Sequence, residues 1–317
     1  MSSILNASPN SGRRTFNPAN VGFAVAIMIL VLVASAASDV FLTERNLVSI
    51  ARQLVTNGLL SLGMLLVILT GGIDLSVGPI VAFAGLLSTG LQAQAPFPAA
   101  IAVALAMGIA VGVFNGYIIA RFKLQPFIVT LATMGSLRGL LYVYSKTPQY
   151  SEDPLFRSLL GGGFLGPFPV PTLILIGAVP IVWFYLNHTL SGRAVYAIGV
   201  NSEAVRLAGI NVGRHLVTAY AASGFLAALA GVLLASRLGI AQPSVGVGYE
   251  LDAIAAVVIG GGILGGGGGT VAGVVGGVLA LALVDNVLNL FNVESYYQQF
   301  LKGLIILAAV LARRKRT

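Results

Sequence analysis

The chain has 317 residues, 57% hydrophobic and only 9% charged, where soluble domains carry about 25% charged residues. That deficit excludes an ordinary water-soluble globule, and the hydrophobicity excludes disorder. The net charge of +8 would suggest nucleic acid on a soluble protein. Here the excess lies in tails and short loops, the pattern that orients a chain in a membrane, so no nucleic-acid partner is expected.

The class that remains is all-α: a polytopic bundle of membrane helices. Its 40 glycines fit that class, because small residues let membrane helices approach closely. The apolar runs are continuous, unlike the alternating segments of a membrane barrel. The chain has no cysteine, which removes disulfides and thiolate metal sites. His188 and His215 sit beside charged loop residues and read as interfacial side chains, so no metal site is expected.

Residues 1–20 form a polar tail with Arg13 and Arg14. A first span runs from Val21 to Ala37. Ala34-Ser35-Ala36 imitates a signal cleavage site, but the run is long for a signal peptide and an uncleaved span is expected. Residues 38–54 are mixed, and an apolar run from Val55 to Thr70 follows. It leads into Thr70-Gly71-Gly72-Ile73-Asp74-Leu75-Ser76-Val77-Gly78-Pro79. That stretch puts one of only ten acidic residues at the end of a membrane run. It reads as a helix break. Gly71 and Gly72 permit the turn, Asp74 with Ser76 caps a helix resuming near Leu75, and Pro79 costs little in its first turn.

Further spans are expected at 77–91, 99–120, 126–144, 170–186, 216–235, 270–291 and 299–312. The apolar run 251–259 is too short to cross ~30 Å of hydrocarbon, and it runs into the glycine tract 260–269. A short run, a glycine cluster and a second run thus occur at 55–91 and again at 251–291. Paired interrupted segments of this kind point to a transport path. About ten spans result, or eight with a re-entrant pair. The tails, the 121–125 turn and the 187–214 loop hold eleven basic residues against five on the other side. Both termini are therefore expected in the cytosol, with 21–312 as a single transmembrane domain and 313–317 as a basic tail.

The loop 187–214 is the most hydrophilic interior stretch. Asn201 or Ser202 can cap a short amphipathic helix carrying Glu203, Ala204 and Arg206, which Gly209 ends before Ile210. Such a helix either rests at the headgroups or docks into a soluble partner. Arg138 lies mid-span, where it must face the bundle; it either pairs with a carboxylate such as Asp74, fixing a gate, or is structural. Asp285, Asn286 and Asn289 form a polar stripe that either lines a path or bonds between helices. Glu250 and Asp252 at the mouth of the short helix either cap it, the reading placed first, or meet an extracytoplasmic partner.

Glu203-Ala204 with Gly209-Ile210 resembles the cytoplasmic loop of permease subunits in ATP-binding cassette importers. The run from Gly71 to Gly78 resembles a signature of the monosaccharide permeases in that class. Gln242-Pro243 through Gly248-Tyr249-Glu250-Leu251-Asp252 to Gly261 is similar to the ribose-type members in particular, as is Ser295-Tyr296-Tyr297-Gln298. The resemblance implies a homodimeric permease in the bacterial inner membrane, driven by a cytosolic ATP-binding subunit and fed by an extracytoplasmic sugar-binding protein. The chain holds no Gly-x-x-x-x-Gly-Lys-Ser/Thr loop, so ATP is expected on the partner and no cofactor on this subunit. An ion-coupled transporter using Asp74 and Asp285 is the alternative. No catalytic constellation stands out, so an enzyme is not expected.

Overall fold

The structure, a computed structural model, describes residues 18–165 and 168–314. Arg13, Arg14, Lys315 and Arg316, on which the expected orientation partly rests, lie outside the described residues. In chain order the helices are α1 (Pro18–Ala37), α2 (Glu44–Leu69), α3 (Val77–Gly90), α4 (Phe97–Phe122), α5 (Pro126–Tyr144) and the single turn α6 (Pro154–Phe156). They continue with α7 (Val170–His188), α8 (Leu190–Leu207), α9 (Val212–Leu238), α10 (Tyr249–Ile259), α11 (Val271–Leu290) and α12 (Ser295–Arg314). The described strands are two-residue pieces: β1 (Gln149–Tyr150) pairs antiparallel with β4 (Ile240–Ala241), and β2 (Phe164–Leu165) with β3 (Phe168–Pro169).

Six of these helices, α2, α4, α5, α7, α9 and α11, are long and apolar enough to cross a membrane. Most follow the expected runs, but α2 does not start at Val55. It begins at Glu44, where the Thr43 side chain accepts a hydrogen bond from the Asn46 N–H, and it extends for 26 residues. The mixed stretch is therefore the first half of a membrane helix about 39 Å long. Its polar residues are tolerated because they meet polar partners, as Asn46 does on α11.

Helix α9 stands at the centre, packed against α2, α3 and α4. The approach of α4 is set by Gly108, Gly112 and Gly116, one per turn on one face. A Cβ on Gly112 would lie 2.1 Å from the Tyr220 carbonyl oxygen, and one on Gly224 2.1 Å from that of Gly108. Backbone contact of this kind is how helices associate where lipid removes the hydrophobic drive. Residues 55–69 of α2 and 77–89 of α3 are buried without interruption. By contrast, α4, α5 and α7 turn Phe114, Phe127, Ile128, Val143, Ile181 and Phe184 outward, as a lipid-facing rim requires.

The bundle has two distinguishable ends. The C-terminal end of α2 meets α8, through a hydrogen bond that the 260–269 tract makes to Leu69 beside Gly199. The N-terminal turns of α2 and the C-terminal turn of α9 meet at the opposite end, where Arg45, Arg52 and Arg237 line one cavity. From that end the segment after β4 descends into the bundle, so that Gly246 lies against Gly78 in the first turn of α3. Helix α10 starts there and runs on for 11 residues, about 17 Å. It is a half-helix that begins inside the bundle.

Candidate functional site

The break after α2 is built around Asp74, which is fully buried. Gly71 takes a φ of +87°, which only glycine adopts freely. The Asp74 Oδ1 accepts from the Ser76 N–H at 3.0 Å and the Ser76 hydroxyl at 2.6 Å, and Oδ2 accepts from the Ser223 hydroxyl on α9 at 2.9 Å. Asn115 on α4 donates to the Ser76 Oγ at 3.0 Å, and Thr133 on α5 donates to the Asn115 Oδ1 at 2.6 Å. One carboxylate thereby ties the break to three helices. The capping expectation needs correction: α3 starts at Val77, not Leu75, and its N-cap Ser76 makes no side-chain cap bond. Asp74 instead holds the turn before the helix.

Arg138 does not form the gate pair with Asp74. Its Nη1 donates to the carbonyls of Pro243 at 3.0 Å and Val245 at 2.7 Å. The physical reason lies in the descending segment. Irregular backbone leaves carbonyls without a helix or strand partner, and a side chain can satisfy them instead. The arginine fork does so for two at once.

The polar stripe on α11 is shared between partners on other helices. Asp285 Oδ2 accepts from Lys302 on α12 at 3.0 Å and from Gln53 on α2 at 3.4 Å. Asn286 and Asn46 exchange amide bonds of 2.7 and 3.0 Å. Asn289 accepts from Gln298 at 2.9 Å. All three therefore bond between elements. Asp252 does not cap α10: its Oδ2 takes the Lys302 ammonium at 3.1 Å, and the cap position is Gly248.

Helix α8 is two helices joined at a kink. Asn201 has non-helical φ and ψ of −159° and 94°, and its Oδ1 accepts from the Ala204 N–H at 2.9 Å. It caps the short exposed helix 202–207 as the spacing predicts. Gly209 ends that helix at φ +81°, and Ile210 donates back to the Val205 carbonyl. Glu203, Ala204, Arg206 and Gly209 are exposed, with Val200 and Leu207 presenting 76% and 74% of their surface. Glu203 binds Arg206 through two hydrogen bonds, one of 2.9 Å from Nε, and this holds its carboxyl below the usual range.

A junction that the sequence reading missed lies just behind the kink. Gly267 donates to the Leu69 carbonyl at 2.9 Å. Gly199 of α8 fills the gap, since a Cβ there would lie 2.0 Å from the Leu69 oxygen and 2.2 Å from the Gly267 nitrogen. The Tyr196 hydroxyl donates to the Gly269 carbonyl at 2.9 Å. The helix carrying the exposed segment thus touches both glycine-rich breaks, the one after α2 and the one after α10. The signal available was Gly199 itself, a residue costing about 1 kcal/mol in a helix without a turn to explain it.

Comparison with known proteins finds permease components of membrane transport systems. A family model described as branched-chain amino acid transport system / permease component matches residues 46–310. The ribose import permease protein RbsC of Haemophilus influenzae is 42% identical over 293 residues, 91% of each chain. Its namesake in Bacillus subtilis is 43% identical over 301 residues, 94% of this chain and 93% of that one. The L-arabinose ABC transporter permease protein AraH of Azospirillum brasilense is 38% identical over 294 residues, 92% of this chain and 86% of that one. No solved structure matches the chain.

Proposed function

We propose, for a chain that belongs to the permease-component family of the branched-chain amino acid transport type, that it is the membrane subunit of an ATP-binding cassette importer for a monosaccharide. It is a multi-pass protein of the inner membrane and a transport subunit, not an enzyme. Ribose is the sugar proposed first, because the most similar relatives quoted above carry that sugar in their names. The observation that carries the reading is the capped, exposed helix 202–207, joined through Gly199 to both breaks. It offers a soluble ATPase one handle on the two elements that would have to move.

On this reading the α8 end faces the cytosol and both termini lie there. Ten apolar helices are embedded, with α3 and α10 the short ones, and two copies of the chain flank the path. The arginine-lined cavity at the opposite end, ≈ 490 Å³ and lined by Glu44, Arg45, Val48, Ser49, Arg52 and Arg237, receives acidic side chains of the binding protein. None of these arginines forms an ion pair among the described residues.

The test is reconstitution of the chain in vesicles with its ATPase and its binding protein. ATP-dependent ribose uptake that persists when ion gradients are collapsed is expected. Uptake that follows the gradients and ignores ATP would establish the ion-coupled alternative instead.

A further inference from the structure

A cavity of ≈ 390 Å³ opens where α10 begins, lined by residues 247–252 and by Gln298, Gln299, Lys302 and Gly303 of α12. Its volume is in the range of small-molecule pockets, roughly 300–1,000 Å³. Its position follows from helix lengths. Eleven residues of α10 separate it from the glycine tract at the α8 end, about 17 Å, near half of a ~30 Å hydrocarbon layer. The cavity therefore sits near the middle of the bundle, at the start of a half-helix, beside the descending segment.

Its chemistry is that of hydroxyl recognition. Lys302 and Asp252 form an ion pair whose side chains keep 17% and 16% exposure. The same ammonium serves Asp285, so one cation faces two carboxylates, with Glu250 as a third acid in the wall. Glu250 Oε2 is buried against Gly78, and Asp285 does not line the cavity, so Asp252 is the carboxylate of the Lys302 cluster that the cavity reaches. Tyr249, Gln298 and Gln299 add an aromatic ring and amides. A neutral polyol can both donate to and accept from a wall of carboxylates, amides and one ammonium, and it brings no charge that would have to be neutralised.

We infer that this cavity is a low-affinity monosaccharide subsite on the translocation path, in which Glu250, Asp252 and Gln299 receive sugar hydroxyls. The inference rests on the permease reading and adds to it the place where the sugar pauses. Glu250 gives the site its link to the break. Its Oε2 lies where a Cβ on Gly78 would be, at 2.5 Å, and Gly246 is equally close on the same glycine. Shifting α3 at that contact changes the wall of the cavity, so occupancy and the position of the first break are coupled.

The chain has no cysteine, so a single introduced thiol reports without background. Gly303→Cys, at an exposed cavity position where a Cβ meets no atom within 4 Å, is assembled with the ATPase and labelled with a small maleimide. D-ribose at tens of millimolar is expected to slow labelling about threefold or more. The hydroxyl-free osmolyte betaine, and a Ser158→Cys control at the arginine-bearing end, should show no slowing. Adding Glu250→Gln is expected to raise the ribose concentration for half-protection about tenfold. Import by the unsubstituted complex is measured in parallel. Equal labelling with and without ribose, in a system that imports ribose, overturns the site. Slowing by betaine to the same degree overturns it as well. Protection by ribose in a complex that fails to import it supports the site and counts against the permease reading.

Discussion

Asp74 is a buried carboxylate without a cation, held by three hydrogen bonds from two serines. That arrangement predicts a graded response. In Asp74→Asn the amide can stand at the Oδ2 position, where the Ser223 hydroxyl turns to accept it, so the cost is about 1 kcal/mol. Asp74→Leu strands two hydroxyls and a backbone N–H, at about 1–3 kcal/mol for each buried group. Thermal unfolding of the purified chain should rank wild type, Asn and Leu in that order; equal melting temperatures for Asn and Leu would show that the network carries no stability. Asp74 stood out in the sequence because acids are rare in it. Its partner Ser223, and Asn115 and Thr133 further along the network, did not, because a single polar residue in an apolar run does not say which helix it faces. The partners of Arg138 were harder still, being main-chain carbonyls that no residue type marks.

At the scale of elements, α8 joins the exposed helix to the bundle, and its two halves should fail differently. Gly199→Ala places a methyl group where the Leu69 oxygen stands, so the helix must lift from both breaks. We expect assembly with the ATPase to survive and sugar transported per ATP hydrolysed to fall about tenfold; an unchanged ratio would mean that the junction only fills space. Glu203→Lys sets two cations side by side, and Gly209→Pro imposes a negative φ where +81° is required. Both should lose ATPase stimulation while the permease remains folded, read by co-purification and by hydrolysis rate. The pairing of Glu203 with Arg206 lowers the folded-state pKa of Glu203. Its contribution is therefore complete above the unfolded value and is lost as pH falls through the folded one. The exposed helix was legible from its cap and its terminating glycine. The helical half before it, 190–200, was hidden, because its contacts are with backbone exposed by distant glycines.

Over the whole molecule, the last helix is fastened by charge. Lys302 on α12 holds Asp252 of α10 and Asp285 of α11. Lys302→Met leaves both acids buried without a cation, a loss of about 3–5 kcal/mol where one partner of a buried pair is removed. The triple variant with Asp252→Asn and Asp285→Asn should recover most of that loss in the same unfolding assay; a triple no better than the single would remove the ion cluster from the account of stability. The all-α class and the interrupted segments were legible in composition and glycine spacing. The number of crossings was less so, because α2 hides its polar first half and α10 begins inside the bundle. The descending segment was invisible for the same reason: residues 236–250 read simply as a loop until the Arg138 bonds to the Pro243 and Val245 carbonyls are seen.

The reciprocal amide pair between Asn46 and Asn286 joins two residues 240 positions apart. Synthesis proceeds at roughly 5–20 residues per second, so α2 enters the bilayer on the order of ten seconds or more before its partner exists. During that interval the Asn46 amide has only its local partner, the Phe41 carbonyl at 2.8 Å, and the bonds of Asn46 and Gln53 to Asn286 and Asp285 wait for α11. The side-chain bonds that tie the first long span to α11 therefore form only once most of the chain has been made.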